Sequence, residues 1–304
     1  MKFKTTPHSR REVLFGLAGG VLPFRNAQAR DYHPEFTAHT SIWVKEAELR
    51  HRRLEDILDE AFDTTERAGY RFVELAPQFL SPGVCDRTLA RLEKHKLEAA
   101  IACSCGPVHD VVAAVRTRGE VHQMAALLKN RRTQFINFSP EPKRNDEPKS
   151  TEELRIQADE LNRIGADLLA TGSRLLLSHE VSEMRDEARE WRYSVAHTDP
   201  MLVSLCLDLE AAARAGMNPW ELMSEGGARL RGLHLRNSQN GVELESLQDG
   251  DINMKEVAGL LRDMMFQGYL VVELVPVRVQ RSLLADLSSS FQYLQKVFGA
   301  PVSS

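Results

Sequence analysis

The sequence lacks most of the signatures by which a chain of this size declares its chemistry. No apolar run comes near the ~20 residues that span a bilayer, so no membrane span is expected in the mature chain. There is no glycine-rich phosphate loop, no serine nucleophile elbow and no His-Glu-x-x-His pair, which removes three common enzyme classes at the level of motif. Basic charge is not in excess: the formal net charge is −4, which gives no reason to expect a nucleic-acid partner. Cysteine is scarce, at four in 304 residues. Cys85, Cys103, Cys105 and Cys206 match no zinc-binding spacing and form no disulfide framework. Cys103 and Cys105 stand two apart on an expected strand, sharing a face but too far apart to bridge easily, and are read as buried thiols.

What is present begins with a leader. Arg10 and Arg11, in SRREVLFG, precede an apolar stretch from Val13 to Phe24, and Ala27-Gln28-Ala29 follows. A basic region, a short apolar region and a small-residue site make an export signal. The paired arginines point to the twin-arginine route. Residues 1–29 are therefore read as signal and 30–304 as the mature domain, with the twin-arginine export machinery as partner and the periplasm as destination. That route carries folded proteins, so a metal can be loaded before export.

The mature chain repeats one unit, an apolar strand followed by an amphipathic helix. Strands are expected at 40–44, 71–75, 98–104, 134–139, 174–178, 202–207, 230–235 and 269–274. Between the first two, Leu54, Ile57, Leu58, Ala61 and Phe62 recur at helical spacing and Gly69 ends the run. Ser150 or Thr151 is placed to cap a long helix, with Glu153 as its box partner. Alternating strands and helices predict a parallel α/β sheet. Eight units at this length predict a single (β/α)8 TIM barrel.

In such a barrel, chemistry gathers where the strands end at their C-terminal side. Glu74 ends FVEL, His179 and Glu180 end LLLSHE, Asp208 ends LCLD, His234 sits in GLHLRNS, and Glu273 ends LVVE. Carboxylates and imidazoles crowded at one mouth repel one another and lose hydration unless they are paired. A structural network of hydrogen bonds is one resolution and a divalent cation is another. Mixed oxygen and nitrogen donors suit Mn²⁺, Zn²⁺, Mg²⁺, Co²⁺ or Fe²⁺ without choosing between them. His109, after the CSCGP turn, and Arg236 are further candidates for binding substrate. Trp43 and Trp191 either stack on a sugar ring or pack in the core. Arg278 and Arg281 follow the last strand, where barrels often bind phosphate.

The segments LCLDLEAAARAGMNPWELM, RLRGLHLRNS, DGDINMKEVAGLLRDM and YLVVELV together resemble the C-terminal half of the xylose-isomerase-like sugar phosphate isomerase/epimerase family. FDTTERAGYRFVEL resembles that family's first helix and second strand, and the similarity runs over most of residues 38–298. The resemblance implies a divalent metal held by Asp208, His234 and Glu273, with Glu180 or His179 supplying a fourth ligand. It implies proton transfer next to a carbonyl, with Glu273 or Glu180 as base and then acid. The expected activity is an isomerase or epimerase acting on a sugar or keto-sugar, with Glu74, His109, His179 and Arg236 as substrate-binding candidates. Homo-oligomers are common among such relatives. Two departures matter. Ala211 stands where epimerase relatives often have a substrate-binding histidine, and the fifth strand ends in Ser178-His179-Glu180. They leave open a lyase or hydratase of an oxidised sugar or glycoside on the same metal, and a barrel that only binds carbohydrate. An apurinic-site endonuclease is disfavoured for want of a basic face.

Overall fold

The computed structural model describes residues 32–129, 131–245, 247–275 and 282–299. Eight parallel strands close into a barrel, each hydrogen-bonded to its neighbours in chain order. In sequence they are His33–His39, Phe72–Leu75, Glu98–Gly106, Phe135–Pro140, Arg174–Leu177, Val203–Asp208, Leu230–Leu235 and Gln267–Val272. The first strand pairs with the eighth from His33↔Gln267 to Ala38↔Val272, which closes the ring. Helices fill the connections, and one short hairpin, Ser238–Gln239 with Val242–Glu243, interrupts the pattern after the seventh strand. No helix among the described residues is long and apolar enough to cross a membrane.

The first strand lies earlier than the sequence pattern suggested. Residues 40–44 form the turn and the start of a helix, Ser41–Leu49, whose buried residues Ile42, Trp43, Glu46 and Ala47 follow a helical period. The β-branched Thr40, Ile42 and Val44 give the segment the composition of a strand, but its buried positions have the spacing of a helix. Thr40 makes the break. Its hydroxyl donates to the Glu74 carbonyl at 3.0 Å and accepts from the Ala76 amide at 2.8 Å, tying the end of the first strand to the end of the second.

Two apolar layers form, because a strand points successive side chains to opposite faces. Leu205, Leu207, Leu233 and Leu235 face outward into the core between strands and helices. Ala100, Ile101, Phe135, Leu176, Cys206, Tyr269 and Val271 belong to a second, smaller core. Gly232 keeps this layer closed, since a Cβ there would lie 2.9 Å from Cys206 Sγ and 3.0 Å from Leu176 Cδ2. Two residues further along the same strands, the same parity brings Cys103, Asn137, Ser178, Asp208, His234 and Glu273 to the wall of the mouth. The alternation that fills the core therefore also selects the residues that line the site.

The long helix Thr151–Thr171 starts as its sequence indicates. Ser150 Oγ accepts from the Glu153 amide at 3.2 Å, and Glu153 Oε2 accepts from the Ser150 amide at 2.6 Å. That amide and Lys143 hold the Glu153 carboxyl down to about 2. A carboxyl lowered on folding stabilises above its ordinary range, and that stability is lost as pH falls through the folded value. Glu153→Ala should lower the urea midpoint at neutral pH, and its gap to the parent should narrow as pH drops from about 4.5 towards 2. A gap constant across that range would count against the box.

Candidate metal centre

Asp208, His234 and Glu273 come from three adjacent strands, the sixth, seventh and eighth. One ligand atom from each lies within 4.8 Å of the other two. Register makes this so, because Asp208 is the direct partner of His234 across the sheet, and the Glu273 amide donates to the Leu235 carbonyl at 3.3 Å. His234 is held between two carboxylates, with Nδ1 3.2 Å from Glu273 Oε2 and Nε2 3.0 Å from Glu74 Oε2. Burial disfavours a charged ring, but Glu74, Cys206 and Glu273 together outweigh it and raise His234 well above the usual histidine range. Burial likewise opposes ionisation of Glu273. His39, the His234 hydrogen bond and Arg236 together overcome it and hold the carboxyl far below its usual range.

Glu74 stands beneath the pocket rather than in its wall, and is completely buried. It accepts from Asn137 Nδ2 at 2.7 Å and Cys103 Sγ at 3.0 Å in addition to facing His234. Burial raises its carboxyl and His234 more than reverses this, bringing it to about 2. A carboxylate fixed on one ring nitrogen while the other faces two acidic side chains is the arrangement that orients a metal-binding histidine. Two carboxylates and an imidazole so arranged fit a divalent ion. Glu74→Gln should weaken divalent-ion binding by roughly 10–100-fold in isothermal titration; unchanged affinity would remove Glu74 from this role.

The other expected residues fall differently. Ser178 follows directly on the fifth strand, whose last residue, Leu177, pairs with Leu205, and its hydroxyl lies 2.8 Å from that of Ser139. Glu180 follows beyond the strand end. It lines the same pocket but stands outside the close three-residue group. Although the residue is exposed at the mouth, partial desolvation by the surrounding wall raises its carboxyl, as does Asp208, with Arg236 opposing them. His179 also lines the pocket and is only 1% exposed. Neither ring nitrogen has a hydrogen-bond partner among the described residues. Burial and Lys149 lower it to about 3, so the ring is neutral. Arg236 reaches into the centre, with Nη2 donating to Asp208 Oδ2 and Nε 3.8 Å from Glu273 Oε2.

His109 is half-buried near Lys149 and Lys143 and is not part of this pocket's lining. Trp43 and Trp191 are both buried, and Trp43 donates to Thr65 Oγ1 at 3.3 Å, so neither presents a face for stacking on a sugar. Cys105 is exposed, against the expectation of a buried thiol, because it lies at the open end of its strand. Arg278, Arg281 and the signal segment 1–29 lie outside the described residues.

Three residues escaped the sequence reading. His39 and Cys103 line the pocket, with His39 Nε2 3.4 Å from Cys103 Sγ. The Ser41 amide donates to His39 Nδ1 at 3.1 Å, which leaves the ring proton on Nε2. His39, Glu74 and Cys103 lie close together and are joined by hydrogen bonds, His39 to Cys103 and Cys103 to Glu74. Asn137 donates to Glu74 from strand four. Asn137 offered a weak signal, a polar residue inside the apolar run FINF, whereas His39 and Cys103 stand beside other polar residues and offered none.

Asn237 shapes the loop beside the site. Its Oδ1 accepts from the Ser238 and Ile252 amides at 3.1 Å, and its Nδ2 donates to the Leu247 and Ile252 carbonyls at 3.0 and 3.2 Å. A Cβ at residue 250 would lie 1.9 Å from Asn237 Oδ1, which requires Gly250. Asp251, read from sequence as a structural loop acid, accepts from the Asn240 amide at 2.8 Å.

A family described as xylose isomerase-like TIM barrel matches residues 62–296. No curated protein matches the chain in sequence. Among solved structures, a sugar phosphate isomerase/epimerase from Parabacteroides distasonis ATCC 8503 is 15% identical over 91% of this chain and 96% of its own, with a TM-score of 0.68. D-allulose 3-epimerase from Methylomonas sp., in complex with D-allulose, is 16% identical over 88% of this chain and 98% of its own, at 0.69. The IolI protein with a binding zinc atom is 14% identical over 89% of this chain and all of its own, at 0.69. At such identities these likenesses speak for the fold alone.

Proposed function

The chain belongs to the xylose isomerase-like TIM barrel family, and on that premise we propose that it is a metal-dependent isomerase or epimerase acting on a sugar or keto-sugar. The observation that carries the reading is the approach of Asp208, His234 and Glu273 to within 4.8 Å of one another at the barrel mouth. These three would hold a divalent ion, which supplies Lewis-acid polarisation of a substrate carbonyl when bound.

The protein's own groups divide the remaining work. Glu273 is half-buried against His234 and Arg236 and stays ionised, which suits a ligand better than a base. Glu180 lines the same pocket, and its carboxyl is raised. Two carboxyls pushed in opposite directions mark different roles. Glu180 takes the proton from the carbon next to the carbonyl and returns it, because a raised carboxyl lies nearer the pH at which proton transfer works best. His39 offers its Nε2–H to a substrate oxygen from the facing wall. The pocket holds about 200 Å³, room for a small polar molecule but not a polymer strand.

Support for a sugar comes from the family and from a neighbour bound to D-allulose. The paired arginines Arg10 and Arg11, the apolar stretch after them and Ala27-Gln28-Ala29 support action in the periplasm. The test is incubation of the divalent-ion-loaded protein with a panel of keto-sugars, D-allulose included, in D₂O. Deuterium should enter at the carbon beside the carbonyl of at least one sugar. No uptake across the panel would overturn the catalytic reading in favour of a binding barrel.

A further inference from the structure

Both oxygens of Asp208 are already engaged. Oδ1 accepts from the Glu210 and Ala211 amides at 3.0 and 2.9 Å, capping the helix Leu209–Arg214. Oδ2 accepts from Arg236 Nη2. The helix cap is made by backbone, so Oδ1 is not easily released. Oδ2 is therefore the oxygen through which Asp208 would reach an ion, and a guanidinium sits on it. The same group lies 3.8 Å from Glu273 Oε2, so it faces two of the three clustered side chains. A guanidinium keeps its charge at any ordinary pH. An approaching cation meets like charge and a filled acceptor together.

Arg236 has an alternative partner. Glu243, on the hairpin after the seventh strand, places Oε1 3.9 Å from Arg236 Nη1. Arg214 braces that carboxylate from the other side at 3.4 Å. A modest side-chain rotation thus exchanges Asp208 for Glu243 without leaving the guanidinium unpaired in a buried setting, which would be costly.

We propose that Arg236 and a divalent ion compete for Asp208 Oδ2, so that ion binding turns the guanidinium from Asp208 towards Glu243. Arg236 then sets the ion affinity of the centre rather than merely lining it. The inference rests on the metal reading above. It differs from a positioning role in sign: an arginine that held Asp208 ready for the ion would strengthen binding, whereas a competitor weakens it. Two groups that exclude one another at a shared atom are linked reciprocally, so removing one strengthens the other.

The test is a Zn²⁺ titration of the full chain at fixed ionic strength, using a chromophoric chelator as competitor, for the parent and Arg236→Gln. Zinc affinity should rise about tenfold in Arg236→Gln, with the helical circular dichroism of the two proteins equal. In the parent, the Arg236 Nε–Hε resonance should shift in step with zinc occupancy, a readout that needs no variant to fold. Equal or weaker affinity in Arg236→Gln, or a resonance that does not move at zinc saturation, overturns the competition while leaving the metal centre standing. Failure of both proteins to bind zinc overturns the metal centre and the competition with it.

Discussion

Glu180→Gln should slow proton exchange at the substrate carbon by roughly 10²–10⁴-fold, the usual contribution of a positioned acid–base group. It should do so while leaving divalent-ion binding within a few-fold of the parent, because Glu180 stands apart from the close three-residue group. Glu273→Gln should behave differently. It removes a charge that His234 and Arg236 both face, so ion binding and exchange should fall together. The raised Glu180 carboxyl adds a pH signature. A base must be deprotonated to act, so the acid limb of the exchange rate should lie above the ordinary carboxylate range and should vanish in Glu180→Gln. Exchange at the parental rate in Glu180→Gln would hand the base role to another residue. Both effects are measured by deuterium incorporation, with ion binding followed separately by calorimetry.

Trp191→Ala should destabilise the fold by about 3–5 kcal/mol, read as a lower guanidinium midpoint. That is a fifth or more of the ~5–15 kcal/mol by which domains are usually stable. Trp191 is fully buried in the core between barrel and helices. Its six-membered ring lies 3.7 Å from the point where a Cβ on Gly226 would stand, so helix Arg185–His197 packs closely on helix Pro219–Gly226. Removing the indole leaves a cavity that two helices locked to adjacent strands cannot readily close. Helix Arg185–His197 also follows directly on the segment that carries His179 and Glu180, so activity should fall with stability. Trp191→Phe retains most of the ring and should cost markedly less. A loss under about 1 kcal/mol in Trp191→Ala would mean that the site relaxes, contrary to the packing described.

The barrel was legible because its period is simple. A two-residue alternation in LCLD and GLHL puts leucines outward and Cys206, Asp208, Gly232 and His234 inward, and this much can be counted from sequence. The first strand was not legible, because residues 40–44 carry strand-like composition at helical spacing, and only pairing of His33–His39 with the eighth strand decides the matter. Asp208, His234 and Glu273 could be named in advance because each ends an apolar run. The fifth strand was harder. It ends at Leu177 opposite Leu205, so Ser178, His179 and Glu180 all follow it, and which of them reaches the close three-residue group depends on the path of the chain beyond the strand, which no local pattern reveals. His39, Cys103 and Asn137 lay hidden for a related reason. Their importance comes from reaching Glu74 and its neighbours across the barrel, and contacts between distant strands leave no trace in local sequence. Arg236 was visible as a charge, but its place on Asp208 depends on side-chain geometry alone.

Three strands deliver one shared ion site, and ion stoichiometry is its plainest test. Purified protein loaded with Mn²⁺ or Zn²⁺ and freed of excess should retain about one equivalent, as expected for a single three-ligand centre. Asp208→Ala and His234→Ala should each lose it while keeping the parental circular dichroism. Full occupancy in both variants would contradict the account, since the ion would then be held somewhere else.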